Sequence, residues 1–126
     1  ISMIYFGKLY FFILYPMITW NDFEKVVMRV GTILDVQDFP KAKKPAYQLT
    51  IDFGIELGIK KSSAQITKRY TKEDLIGKQI IAVVNFPKKQ IADFMSECLV
   101  LGSVGEENDI VLLTSDIPVE NGLRIG

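Results

Sequence analysis

Three features of this 126-residue chain predict an all-β fold, a five-stranded Greek-key barrel with one short helix. Short runs alternate apolar and polar residues with a period of two, as half-buried strands do. Gly, Pro, Asn and Asp cluster between the runs and mark turns. A capped helix falls between the third run and the fourth. With 48% apolar residues the chain is long enough for one domain with a core and too short for two.

The elements follow in order. Residues 19–25 (TWNDFEK) offer cap residues before a short helix on which Trp20 and Phe23, three apart, share a side. From Val26 the period changes to two. Val30, Thr32, Leu34 and Val36 fall on one face of a long first strand, and Arg29, Gly31, Ile33, Asp35 and Gln37 on the other, with Gly31 available for a bend. Residues 39–46 (FPKAKKPA) form a basic loop whose two prolines stop the strand and stiffen the connection. Tyr47, Leu49, Ile51 and Phe53 then alternate with Gln48, Thr50 and Asp52. Gly54 and Gly58 frame a turn into a third strand over residues 59–63.

Thr71, Glu73, Asp74 and Gly77 are the cap, early acids and terminal glycine of the short helix. Residues 79–86 read as one buried strand and 98–102 as another. A turn at 105–109 leads to a strand at 110–114, and 119–125 closes the chain. Three strands, a helix and further strands is the order of an OB-fold, which binds oligonucleotides through its second and third strands and two loops. The stretch after Gly102 exceeds the minimal barrel and is available for a dimer contact.

The zero net charge conceals two unlike parts. Between Phe39 and Lys89 lie eleven of the fifteen Lys and Arg but only four of the fifteen acids, a net +7 there against −7 elsewhere. The pI near 6.5 argues against coating duplex DNA by bulk charge, whereas a local basic face can meet phosphate or acidic protein. Histidine is absent and Cys98 is the single cysteine, so intrachain disulfides, Cys/His zinc sites and imidazole-based triads are excluded. Cys98 is expected to be buried and inert, and a reducing cytoplasm fits its solitude. There is no Gly-rich phosphate loop and no paired or metal-ligand carboxylate spacing, so neither enzyme activity nor a cofactor or metal is expected.

Residues 1–16 stand apart. The apolar run from Ile4 to Tyr15 is shorter than the roughly 20 residues that cross a bilayer, is broken by Lys8, and lacks a cleavage pattern, so no membrane insertion is expected. Met17 is a candidate native start for the folded domain of residues 17–126, with residues 1–16 a non-native extension. If the segment is ordered, its apolar character points to burial against the domain or to self-association.

The middle of the chain holds the candidate binding residues. Lys41, Lys43 and Lys44 occupy the first barrel loop, followed by Lys60 and Lys61 in the third strand and by Lys88 and Lys89 beyond the helix. Clustered cations gain affinity by releasing counterions from phosphates. Ser62, Ser63 and Gln65 can hydrogen-bond a phosphate, a sugar hydroxyl or a peptide backbone, or close a turn. Asn85 precedes Phe86-Pro87, where its amide can bond its own backbone. The outward positions of the second strand, Gln48, Thr50 and Asp52, carry no aromatic on which bases could stack, which argues against a single-strand DNA coater. A folded RNA or a peptide fits them better. Phe39, Phe86, Phe94 and Met95 flank the basic segments, either as core or as apolar pockets for a peptide.

The segments FPKAKKPAY (39–47), KKSSAQI (60–66), NFPKKQI (85–91) and SECLVLG (96–102), with Arg29-Val30-Gly31, resemble the tRNA-binding-domain family. Members stand at the ends of methionyl- and phenylalanyl-tRNA synthetases or alone as dimers. The resemblance covers residues 20–126. It implies an OB-fold homodimer that binds structured tRNA. In one branch, described as export-related chaperones, it implies binding to unfolded or precursor polypeptides, with the protein translocation machinery as a further partner. It also implies that Asn85, Lys88, Ser96 and Arg29 join the ligand face.

Overall fold

The computed structural model describes residues 15–126 in full and, before them, the backbone of two paired antiparallel strands, β1 (Ser2–Phe6) and β2 (Leu9–Ile13). The self-association expected of residues 1–16 depends on side chains outside the described residues. Helix α1 (Trp20–Glu24) starts as expected. The Thr19 hydroxyl accepts the Asp22 N–H at 3.1 Å while the Asp22 carboxylate accepts the Thr19 N–H at 3.0 Å, a reciprocal cap. The Trp20 and Phe23 rings pack with centroids 5.3 Å apart.

Strand β3 (Met28–Asp38) departs from the simple alternation. Ile33 opposes Ile51 and Asp35 opposes Thr50 of β4 (Tyr47–Asp52), which leaves Leu34 as the extra residue of a bulge. The bulge reverses which face each later side chain takes. Gly31 and Ile33, before the bulge, already face the core, Leu34 is exposed, and Val36 beyond the bulge joins the face of Ile33 rather than that of Val30 and Leu34 as period two predicts. Gly31 is required for closeness rather than for a bend. A Cβ there would lie 2.7 Å from the Ile51 methyl and 2.8 Å from the Phe53 ring.

Beyond β4, one helical turn, α2 (Gly54–Leu57), leads into β5 (Ile59–Ala64). Helix α3 (Lys72–Leu75) has the predicted cap, with Thr71 and Asp74 exchanging hydrogen bonds, and ends at Gly77, whose φ of +86° suits glycine. Leu75 is fully buried in the barrel core. Strand β6 (Gln79–Val83) is buried over Ile80–Val83 but stops short of Phe86. The Val84 N–H continues the ladder to the Val27 carbonyl at 2.9 Å, and beyond it the chain bends through Asn85-Phe86-Pro87.

A hairpin follows, β7 (Lys89–Ile91) with β8 (Phe94–Ser96), then β9 (Leu99–Val100), β10 (Gly102–Val104) and β11 (Ile110–Leu112). The single strand expected over 98–102 is thus divided. Leu101 donates to Ile81 of β6 but accepts from Leu113, so the chain changes partners at that residue. The strand expected over 119–125 is a tail with one bridge, Arg124 to Arg29; along the edge of β3 that β4 does not reach, the Gly122 and Ile125 N–H groups donate to Val30 and Met28, and the Leu123 carbonyl accepts the Val30 N–H.

The main sheet has the order β5-β4-β3-β6-β9, all antiparallel, and curls into a nearly closed barrel with α3 between its third and fourth strands. This is the OB-fold that the element order predicts. Ile33, Leu49, Ile51, Phe53, Leu75 and Ile80, each fully buried, form its centre. A second small cluster joins the 39–46 loop to the β7–β8 hairpin: Phe39 and Phe94 pack at 5.4 Å with Ala46.

Replacing Gly31 with Ala is expected to destabilise the fold by about 1–3 kcal/mol, the usual cost of overpacking. Urea unfolding followed by circular dichroism measures it, and an unchanged midpoint would show that the barrel can relax around the new methyl.

Candidate functional site

Strand β5 is the last of its sheet, and its far edge is satisfied largely by side chains. Alternate N–H groups of an antiparallel edge point away from the paired neighbour. On β5 these belong to Lys61 and Ser63. The Glu97 carboxylate accepts the Lys61 N–H and the Ser96 hydroxyl accepts the Ser63 N–H, both at 3.0 Å. The Glu97 N–H donates in return to the Lys61 carbonyl at 2.8 Å. From inside, the fully buried Ser62 hydroxyl donates to the Cys98 carbonyl at 2.9 Å. Ser62 and Ser63 therefore serve opposite faces of one strand.

Glu97 also meets the Lys88 ammonium, 3.4 Å from its second oxygen. Its partial burial works against ionisation, yet the Lys61 N–H and Lys88 outweigh that and hold its carboxyl below the ordinary 4.5. Burial dominates at Cys98, whose thiol is pushed up to about 11; the residue is buried as expected.

Outside this seam lie two contiguous hollows of about 390 and 560 Å³ that share Ser63, Gln65, Lys89 and Ile91. The smaller is walled by Phe86, Pro87 and Leu99, with Ser96 and Cys98 at its inner side. The larger is walled by the 39–46 loop and carries Lys41, Lys43 and Lys44. A third hollow of about 380 Å³ continues past Gln65 and Leu99 toward Asn108 and Ile110. The result is one groove, apolar at its middle and basic at one end.

The predicted residues divide around this groove. Lys43, Lys44, Ser63, Gln65 and Ser96 line it. Lys41 lines it too, but its ammonium is bonded to Asp93 at 2.9 Å, which holds the Asp93 carboxyl below the usual range. Lys61 is exposed on the same face of β5 as Ser63, whereas Lys60, half-buried, falls on the inward row with Ser62 and Ala64. Arg29 is held elsewhere: its guanidinium donates to the Gly122 carbonyl at 2.8 Å and lies 3.8 Å from Glu56. Asn85 bonds across the fold rather than to its own turn. Its side chain accepts the Val27 N–H at 3.0 Å and donates to the Lys25 carbonyl at 2.7 Å, fixing the bend that presents Phe86.

Lys89 and Phe86 have more of the groove than sequence reasoning assigns them. Of the adjacent pair, Lys88 is bound to Glu97, whereas Lys89 lines both hollows with no acidic partner among the described residues. Alternation along β7 places Lys89 and Ile91 on one face, a signal present in the sequence once the strand is recognised. Phe86 is 55% exposed, so the face does possess an aromatic, although the outward positions of β4 have none. Phe39 and Phe94 are core, and Met95 is exposed.

The seam contributes to the acid sensitivity of the fold. A carboxyl with a lowered folded pKa contributes stability above its ordinary value and loses it as pH falls through the lowered one. Acidification below the ordinary glutamate range is therefore expected to destabilise the Glu97→Gln variant less than the parent in urea titrations, because the amide still accepts the Lys61 N–H but carries no charge. Equal acid sensitivity would contradict the assignment. Ser96→Ala, which leaves the Ser63 N–H without its acceptor, is expected to cost about 1 kcal/mol in the same assay at neutral pH.

The arrangement has counterparts among known proteins. The profile of the tRNA binding domain matches residues 28–124. The methionine–tRNA ligases of Thermococcus onnurineus and Nanoarchaeum equitans are 34% and 33% identical over 108 and 111 residues. These matches cover 86% and 88% of this chain and 14% of each ligase, so the chain spans about one seventh of those relatives. The structure of the chaperone CsaA from Bacillus anthracis superposes with a TM-score of 0.84 at 53% identity, covering 88% of this chain and all of that one. The CsaA chaperone protein of Picrophilus torridus gives 0.82 at 56% identity, covering 87% of this chain and all of that one. The fold and the match over residues 28–124 have one common explanation: the chain belongs to the tRNA-binding-domain family.

Proposed function

We propose that this protein is a CsaA-like, export-related molecular chaperone that holds unfolded or precursor polypeptides in the groove. The observation that carries the proposal is the exposed apolar wall of Phe86, Pro87 and Leu99, set beside polar Ser63, Gln65 and Ser96. Such a wall accepts apolar side chains of varied shape, while the polar groups can bond a peptide backbone. In this proposal the role is binding rather than catalysis, with no nucleotide or other cofactor, and the translocation machinery is a further partner.

A cytoplasmic homodimer completes the proposal. The free, buried Cys98 suits a reducing compartment, and no described helix is long and apolar enough to cross a membrane. Met17, Ile18 and Trp20, each at least two-thirds exposed, support a contact between copies. Light scattering is expected to give twice the chain mass, with and without residues 1–16 if the contact lies in residues 17–126. A monomeric mass for both would remove the dimer from the proposal.

A second reading, a tRNA-binding accessory protein using the same face, is favoured by Lys43, Lys44 and Lys89, none of which has an acidic partner among the described residues. Titrating the protein with bulk tRNA and, separately, with an unfolded preprotein at low and moderate salt tests both. Polypeptide binding that survives moderate salt is expected for the chaperone, and tight tRNA binding with no polypeptide binding would sink it. Replacing Lys43, Lys44 and Lys89 together with Ala is expected to flatten the salt dependence of tRNA binding by about 0.7 in log–log slope for each phosphate no longer neutralised. An unchanged slope would show that the basic end is not the site.

A further inference from the structure

We infer that Phe86 is a stacking platform for one unpaired nucleotide of an RNA, whose flanking phosphates are received by Lys89, Lys43 and Lys44. This rests on the RNA-binding reading above and specifies the ligand of that groove.

Phe86 stands out among the loop phenylalanines. Phe39 and Phe94 are 4% and 9% exposed and pack on each other, whereas Phe86 is 55% exposed. Leaving just over half of a large apolar ring in water forgoes hydrophobic burial, and the ring belongs to neither buried apolar cluster. Its backbone is nevertheless anchored. The two hydrogen bonds of Asn85 to Val27 and Lys25 anchor the turn, and Pro87 restricts the following backbone. A platform held in place before the ligand arrives loses little entropy on binding.

The charges beside it are also sorted. Lys88 and Lys41 are engaged by Glu97 and Asp93 at 3.4 and 2.9 Å. Lys43, Lys44 and Lys89 remain, and Lys89 lines the basic hollow as well as the one that contains Phe86. Between ring and cations lie Ser63, Gln65 and Ser96. The Ser96 hydroxyl accepts from the Ser63 N–H, so its own proton is available to a sugar or a base edge. An apolar ring, polar donors and unpaired cations in succession complement base, ribose and phosphate. With Gln48, Thr50 and Asp52 on the outward side of β4, the face offers one stacking position and not a track of them. It therefore selects a looped-out or terminal nucleotide rather than a continuous single strand.

The test uses the intact chain and two RNA probes, a short blunt-ended duplex carrying one bulged, unpaired 2-aminopurine and the same duplex with every nucleotide paired. The unpaired probe is expected to bind more tightly, with its 2-aminopurine fluorescence quenched on binding. Phe86→Leu keeps apolar bulk but removes the aromatic face, and is expected to weaken that binding by about 5- to 100-fold and abolish the quench. Phe86→Trp should retain both, and because residue 86 is exposed each variant should keep the parent circular dichroism spectrum. Unpaired RNA bound by Phe86→Leu with parental affinity and quench overturns the inference. If that binding still responds to the Lys43, Lys44 and Lys89 substitutions, RNA is held by its backbone and only the stacking falls. If the parent binds neither probe, the RNA reading falls with it.

Discussion

The structure depends on how the far edge of β5 is sealed. An OB barrel closes when its last strand meets the third, but here β9 is two residues long and its ladder runs only to β6. Closure passes to the residues just before it. Ser96 and Glu97 place side-chain acceptors where strand carbonyls would stand, and the Glu97 N–H supplies a backbone bond to the Lys61 carbonyl. An unpaired edge would present donors to any extended chain, and buried donors without acceptors cost about 1–3 kcal/mol each. Ser62 completes the closure from within, so the Ser-Ser and Ser-Glu pairs are first of all a structural joint.

That joint also shapes the groove. Because the β5 edge is met by a short segment and not by a long strand, the β7–β8 hairpin stands beside it and leaves the hollows between Gln65, Lys89 and Phe86. Glu97 has a double part: it accepts the Lys61 N–H with one oxygen and holds Lys88 with the other. The same side chain thereby closes the barrel and engages one cation beside the groove. Asp93 does the corresponding service for Lys41, where the Phe39–Phe94 contact joins loop and hairpin. What remains unpaired is a smaller and better-directed set of cations than the sequence count implies.

Local chemistry makes much of the fold legible in the sequence. The Thr71–Asp74 cap and Gly77 mark α3 because each acts within a few residues, and β4 shows its face because nothing interrupts its alternation. The bulge at Leu34 is hidden because it depends on a partner strand, and one extra residue reverses the faces beyond it. Asn85 is recognisable as a turn residue, but its partners are not, since Val27 and Lys25 are 58 and 60 residues away. The basic segments point to the region where the groove lies. Choosing between Lys88 and Lys89, or Ser62 and Ser63, requires knowing which neighbour faces Glu97 or Cys98 across the seam.

The central claim is that this groove, and not the basic middle of the chain at large, is the ligand face. Mapping amide chemical-shift changes by NMR during titration with tRNA and with an unfolded preprotein tests it most directly. Both ligands are predicted to perturb Ser63, Gln65, Phe86, Lys89 and Ile91 while leaving Arg29, Thr32 and Gly122 on the tail side unmoved. Perturbations centred on the tail side, or on Lys72 and Lys78 near α3, would contradict it.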